Sequence, residues 1–334
     1  MDIFKDKSVL ITGGTGSFGK RMVRRLLSEH EPRRVIVYSR DELKQFEMGL
    51  MPGIEGSRKI RFFIGDVRDR DRLTMAMRGV DIVIHAAALK QVPAAEYNPF
   101  EFVATNIIGA ENVVRAAISA SVRRVVALST DKAANPINLY GATKLAADKI
   151  FTAANSLSGS GGARFSVVRY GNVVGSRGSV IPFFQRRIAG GADHLPITDE
   201  RMTRFWITLD QGVDFVVNAL TRMQGGEIFV PKIPSMRITD LARVMAPDMA
   251  TKVIGIRPGE KLHETMITSD DARNTVELDT CYVIKPPMVF WDKAADMHPA
   301  STPVPDDFVY SSDTNTHWVS DDEMLEMIGT AKDD

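Results

Sequence analysis

Residues 7–20 read Lys7-Ser8-Val9-Leu10-Ile11-Thr12-Gly13-Gly14-Thr15-Gly16-Ser17-Phe18-Gly19-Lys20. An apolar run of strand length ends in glycines at 13, 16 and 19, and a helical pattern, Gly19 to His30, follows at once. A turn so short of side chains lets the backbone approach a pyrophosphate seated on the helix N-terminus, where free N–H groups and the helix dipole favour an anion. Gly13, Thr15, Gly16, Ser17, Phe18 and Gly19 are the residues expected to line that cradle.

Working outward, further short runs rich in Val and Ile lie at Arg34 to Tyr38, Ile60 to Ile64, Asp81 to His85, Arg123 to Leu128 and Arg164 to Arg169. Nearly continuous apolar character is what parallel strands buried on both faces require. Stretches long enough for crossover helices separate them, Asn106 to Ala120 among these. The expected fold is therefore α/β, a Rossmann-type doubly wound parallel sheet with a smaller C-terminal substrate-binding lobe. The alternation breaks after about Gly171, although Gly226 to Val230 reads as one more strand returning to the sheet. This gives a dinucleotide-binding domain over 1–174 and 204–232, and a lobe over 175–203 and 233–334. Asn155 to Gly162 reads as a surface turn, and Asp321 to Ile328 as an amphipathic helix.

The 334 residues carry 42 Lys plus Arg against 42 Asp plus Glu, a formal charge of zero that speaks against wholesale binding to nucleic acid or an anionic membrane. The single Cys281 excludes an internal disulfide framework, a CxxC redox site and cysteine-based zinc knuckles, and no metal site is expected. No apolar run reaches the roughly 18 residues of a membrane span, and the mixed charges of the first seven residues are not a signal peptide. A cytoplasmic location is the expectation.

The second strand should end in the residues that read the adenosine ribose. Here stand Ser39, Arg40 and Asp41, with Lys44 one helical turn on. Ser39, Arg40 and Lys44 suit a 2′-phosphate, so NADP is expected in preference to NAD. Asp41 can instead cap the next helix, and Lys44 can belong to a solvated face. Asp66 and Val67 follow the third strand, where the carboxylate either meets the adenine amino group or caps a helix. After the fourth strand, Ala86 and Ala87 leave room for ribose and phosphates, and Lys90 would point into the cleft. His85 lies in an apolar run and reads as a satisfied core histidine.

The densest chemistry is Ser129-Thr130-Asp131-Lys132 followed by Tyr140-Gly141-Ala142-Thr143-Lys144. Tyr140 and Lys144, four apart, share a helix face. A cation beside the phenol favours the phenolate, making Tyr140 a base for a sugar hydroxyl. Lys144 can also hold the nicotinamide ribose, and Thr130 offers a hydroxyl to orient substrate and tyrosine.

With these residues the chain resembles the extended short-chain dehydrogenase/reductases, and within them the inverting UDP-N-acetylglucosamine 4,6-dehydratases of the pseudaminic acid type. The likeness rests on the glycine turn, Tyr38 to Lys44, Ser129 to Lys144, Arg169-Tyr-Gly-Asn-Val173, Gly175 to Gly178, Thr203-Arg-Phe-Trp206, Arg257-Pro-Gly-Glu-Lys-Leu-His-Glu264 and Phe308 to Asp313. Lys132 stands where most nucleotide-sugar dehydratases of this superfamily carry Glu, and the lysine variant resembles the inverting type. The resemblance implies transient oxidation at C4, loss of water across C5 and C6, and hydride return to C6, without net redox change. Lys132 would be the C5 base and Asp131 the acid at C6. That role needs neutral Lys132, a state that burial and Lys144 favour and Asp131 opposes. Asn172, Arg177, Arg204, Arg257, Glu260 and Lys90 would hold the UDP-sugar, each arginine having an interlobe ion pair as its alternative role. A homo-oligomer, dimer to hexamer, is also implied. Neighbouring readings are a retaining dehydratase and a UDP-hexose 4-epimerase, which needs no acid/base pair at C5 and C6. A catalytically idle NADP-binding scaffold is the reading from a different class.

Overall fold

The computed structural model describes residues 2–176, 178–288 and 297–331. In chain order the first half runs β1 (Ser8–Thr12), α1 (Ser17–Glu29), β2 (Arg34–Ser39), α2 (Glu42–Gly49), β3 (Ile60–Ile64), α3 (Arg70–Ala76), β4 (Ile82–His85), α4 (Val92–Tyr97), α5 (Pro99–Phe102), α6 (Gly109–Ser119), β5 (Arg124–Thr130), α7 (Leu139–Ser158) and β6 (Arg164–Tyr170). Then follow β7 (Asn172–Val173), α8 (Val180–Ala189), β8 (His194–Ile197), β9 (Thr203–Ile207), α9 (Leu209–Arg222), β10 (Ile228–Pro231), β11 (Ser235–Arg237), α10 (Ile238–Met245), β12 (Ala250–Val253), β13 (Thr265–Ile267), α11 (Ser269–Ala272), β14 (Thr275–Glu277), β15 (Cys281–Ile284), β16 (Thr302–Pro303), β17 (Tyr310–Ser311) and α12 (Asp321–Thr330).

The main sheet has the order β16-β14-β15-β10-β6-β5-β4-β1-β2-β3. From β3 to β10 all neighbours are parallel, and β1 pairs on one side with β2 and on the other with β4. That is the switch point where chain direction across the sheet reverses and a crevice opens at the strand ends. Val9, Leu10 and Ile11 are fully buried between helices on both faces, as their unbroken apolar run requires. Each such side chain contributes about 1.5–3 kcal/mol of burial.

The structure departs from the sequence expectations at three places. β14, β15 and β16, from the stretch read as lobe, extend the main sheet antiparallel beyond β10. The helix expected from Asn106 begins instead as a π-helical turn, Val103–Ile108, before α6. And Asn155, read as part of a surface turn, is fully buried inside α7, its amide clamping Phe165 through N–H to Oδ1 at 3.0 Å and Nδ2 to O at 2.9 Å. A second apolar cluster, including Ile181, Phe184, Leu195, Trp206, Leu241 and Met324, forms the core of the smaller lobe.

Candidate active site

A cleft of about 620 Å³ lies over the ends of β1, β2, β4 and β5. Its floor is the glycine turn. A Cβ on Gly13, whose φ is +65°, would meet the Ala87 backbone N at 2.8 Å, and one on Gly19 would meet Gly14 at 2.4 Å. Only glycine lets the β4 loop close on the turn at Gly13 and α1 close on it at Gly19. Gly16 caps α1 without any side-chain bond, and no acidic residue stands in the first turn. The helix end therefore presents its positive pole to the cleft, and the residues present fit a dinucleotide pyrophosphate. Thr15, Ser17, Phe18, Val67, Ala86, Ala87 and Lys90 line the same cleft, as expected.

Ser39, Arg40, Asp41, Lys44 and Asp66 gather at the end of β2. Asp41 is the cap of α2, accepting from Lys44 N at 3.1 Å, and its other oxygen pairs with Lys44 Nζ at 2.7 Å. The Ser39 hydroxyl oxygen accepts from Gln45 Nε2 at 3.0 Å. Asp66 does not cap α3, since Asp69 does so; it binds Arg68 N at 2.9 Å and the Arg68 guanidinium, with Arg40 at 3.6 Å. Burial pushes the Asp66 carboxyl up, but Arg68 and Arg40 more than offset this and hold it below the usual range. His85 is indeed a core residue: Nδ1 is 2.8 Å from Thr12 Oγ1, and burial, with Lys144 adding, pushes its pKa down to about 3.

The reactive groups stand at the end of β5. Asp131–Ala133 form one 3-10 turn, with Thr130 Oγ1 accepting from Lys132 N at 3.4 Å. α7 packs directly on this turn because residue 141 is glycine: a Cβ there would lie 2.3 Å from the Lys132 carbonyl oxygen. Asn138 caps α7 through Gly141 N at 2.8 Å and donates to Gly259 O at 2.7 Å, tying the helix start to the lobe. Thr130, Lys132, Tyr140, Lys144 and Asn172 all line the cleft.

Three expectations change here. Asp131 is 0% exposed and lies behind the cleft wall, its Oδ1 accepting from Thr130 Oγ1 at 2.8 Å and Lys132 Nζ at 3.1 Å. Its Oδ2 has no hydrogen-bond partner among the described residues. Lys132 is not poised as a free amine: burial lowers its pKa, but Asp131 and a residue that had no assigned role, Glu264 (Oε1 at 3.0 Å), together raise it above the ordinary lysine value. Tyr140 is likewise pushed up to about 12 by burial; Lys132 and a hydrogen bond with Thr130 work against the rise. Lys144, expected to be its cation, is buried and donates to Leu128 O at 2.7 Å, with burial lowering its pKa and Asp148 opposing.

The proposed sugar-binding residues divide. Arg204 is buried and committed to Thr203 O, Leu262 O and Lys261 O at 2.7, 3.0 and 2.9 Å, with Glu260 at 3.6 Å and Glu264 at 3.7 Å. It fastens the 260–264 segment to β9, and its N–H groups are spent on carbonyls rather than offered to a diphosphate. Arg257 is exposed, its backbone N–H 3.4 Å from Glu260 Oε2, and neither residue lines the cleft. Arg177 lies outside the described residues. Thr105, Tyr170 and Ser176 also line the cleft, unanticipated from sequence. Thr105 lies in the π-helical turn beside Asn106, whose amide brackets Leu89 N and O at 2.9 Å and donates to Thr143 Oγ1 at 3.0 Å.

A family model described as polysaccharide biosynthesis protein matches residues 9–286. An inverting UDP-N-acetylglucosamine 4,6-dehydratase of Campylobacter jejuni is 57% identical over 331 residues, 98% of each chain. A UDP-glucose 4-epimerase of Rickettsia akari is 43% identical over 289 residues, 84% of each. Among solved structures, Pen from Bacillus thuringiensis superposes with a TM-score of 0.89 at 38% identity, covering 99% of both chains.

Proposed function

The chain belongs to the polysaccharide biosynthesis protein family of the extended short-chain dehydrogenase/reductases, and from that premise we propose that it dehydrates UDP-N-acetylglucosamine across C5 and C6 with inversion at C5. The observation that carries the reading is the Asp131–Lys132 pair, with Lys132 at the cleft wall beside Thr130 and Tyr140 and Asp131 directly behind it. A 4-epimerase has no use for an acid/base pair reaching C5 and C6, whereas an elimination cannot do without one.

A dinucleotide on the glycine turn supplies a hydride acceptor for C4 and a donor for C6, without net redox. We assign its 2′-phosphate to Ser39, Arg40 and Lys44, making it NADP, and the enzyme a lyase. Tyr140 takes the C4 hydroxyl proton, and Thr130 orients both partners. The C4 ketone acidifies C5–H, and Lys132 takes that proton from the cleft wall. Asp131, behind the wall, acts as the acid in its protonated form. It passes its proton to Thr130 Oγ1 as the Thr130 hydroxyl proton goes to the departing C6 oxygen, the reverse of the bond it accepts at rest. C5 is then reprotonated on its opposite face. Lys132 must first lose its extra proton against two carboxylates, so dehydration should quicken as pH rises. Asn172 and Lys90, both on the cleft, hold the sugar diphosphate.

The test is NMR of the purified protein with UDP-N-acetylglucosamine in deuterated water. Loss of water with deuterium at an inverted C5 is expected. Loss of water with C5 retained would overturn the stereochemistry. A 4-epimer without loss of water would overturn the reaction and favour the activity named for the Rickettsia relatives.

A further inference from the structure

Glu264 precedes β13 and is 1% exposed. Its backbone is fixed twice by Ser312, whose Oγ accepts from Glu264 N at 2.9 Å and whose own N–H donates to Glu264 O at 2.8 Å. The side chain is not needed for that anchoring. It points instead at the catalytic turn, with Oε1 3.0 Å from Lys132 Nζ, while Oε2 is buried without a hydrogen-bond partner among the described residues. Burying a carboxylate costs several kcal/mol before any partner repays it, so an apolar residue would serve mere packing better. Glu264 does not line the cleft and can act on a substrate only through Lys132.

We propose that Glu264 is a positioning residue of the dehydration, holding Lys132 at the cleft wall as an ammonium and thereby setting the pH above which Lys132 can take the C5 proton. The inference rests on Lys132 being the C5 base. The groups facing Lys132 are Asp131 from its own turn, Tyr140 from α7, Arg204 from β9, and Lys261 and Glu264 from the 260–264 segment. Two carboxylates thus oppose two cations around the ammonium. Without the Glu264 charge, Asp131 alone faces Arg204 and Lys261, and neutral Lys132 becomes accessible at lower pH. An opposite charge at this range moves a pKa by about 1–3 units.

The test is the pH profile of kcat, with substrate and cofactor saturating, for the wild type, Glu264→Gln and Glu264→Asp, alongside single-turnover oxidation at C4. The acid limb of dehydration should move at least about one pH unit lower in Glu264→Gln, raising the rate about tenfold as a fraction of its own plateau at a pH on the limb. Glu264→Asp keeps the charge but withdraws it by one methylene, and its limb should fall between the other two. C4 oxidation should not follow the shift. A limb that stays at the wild-type position in the variants that fold, Glu264→Asp alone if need be, overturns the proposal. A wild type that never dehydrates the sugar overturns the proposed function as well.

Discussion

Gly141→Ala is the substitution from which the geometry of the site yields a number. Gly141 has helical backbone inside α7, so alanine costs nothing in conformation and gains up to about 1 kcal/mol of helix propensity. Its methyl group, however, would stand 2.3 Å from the Lys132 carbonyl oxygen and 3.0 Å from Pro136 Cβ. Since carbon and oxygen do not approach within about 3 Å, the Asp131–Ala133 turn must retreat from α7 by about 0.7 Å, or α7 from the turn. Tyr140 and Lys132 then part by a similar distance. A misplacement near 1 Å can cost about 10²-fold in rate, so kcat should fall by about tenfold to a hundredfold. Overpacking costs about 1–3 kcal/mol, which the propensity gain partly offsets, leaving a folded protein with a modestly lower melting temperature. NMR turnover at saturating substrate gives kcat, and thermal unfolding gives the stability. A folded Gly141→Ala enzyme with wild-type kcat would refute the argument that this contact registers the acid/base turn against Tyr140.

Tyr140→Phe should abolish C4 oxidation, read as loss of cofactor reduction in a single turnover with normal cofactor binding. Lys132→Ala should still reduce the cofactor but stall before water is lost, accumulating the 4-keto sugar; full turnover would remove the base assignment. Arg40→Ala combined with Lys44→Ala should weaken NADP by tenfold or more while leaving NAD nearly unchanged, measured by calorimetry. Equal losses for both dinucleotides would remove the 2′-phosphate assignment.

What could be read in the sequence was what chain neighbours decide. The glycine turn, the strand runs, the cap at Asp41 or the Tyr140 register each involve residues within a few positions of one another, and local sterics or helix spacing specify them. Glu264 and Arg204 were misread or passed over because their roles are set by partners far along the chain, and Asn155 because its clamp on Phe165 forms only once α7 packs on β6. Arg204 looks like an anion clamp until the carbonyls of Lys261 and Leu262 are seen to occupy it. Glu264 sits in a charged motif where nothing local separates a solvated carboxylate from one buried against Lys132. The antiparallel β14–β15 addition was hidden for a related reason: three- and four-residue strands are too short to show a period.

The cluster around Lys132 draws on residues 131, 204 and 264 and is anchored through residue 312. During synthesis the ribosome releases these in order. The glycine turn, the β1–β4 switch point and Tyr140 emerge in the first half of the chain, so a dinucleotide cradle can form and be stabilised by mass action while translation continues. The second carboxylate of Lys132, Glu264, and the segment that anchors it arrive only in the last quarter. An interrupted or clipped product is thus left with the cradle and Tyr140 but without Glu264 and the Ser312 anchor that complete the proton-handling centre.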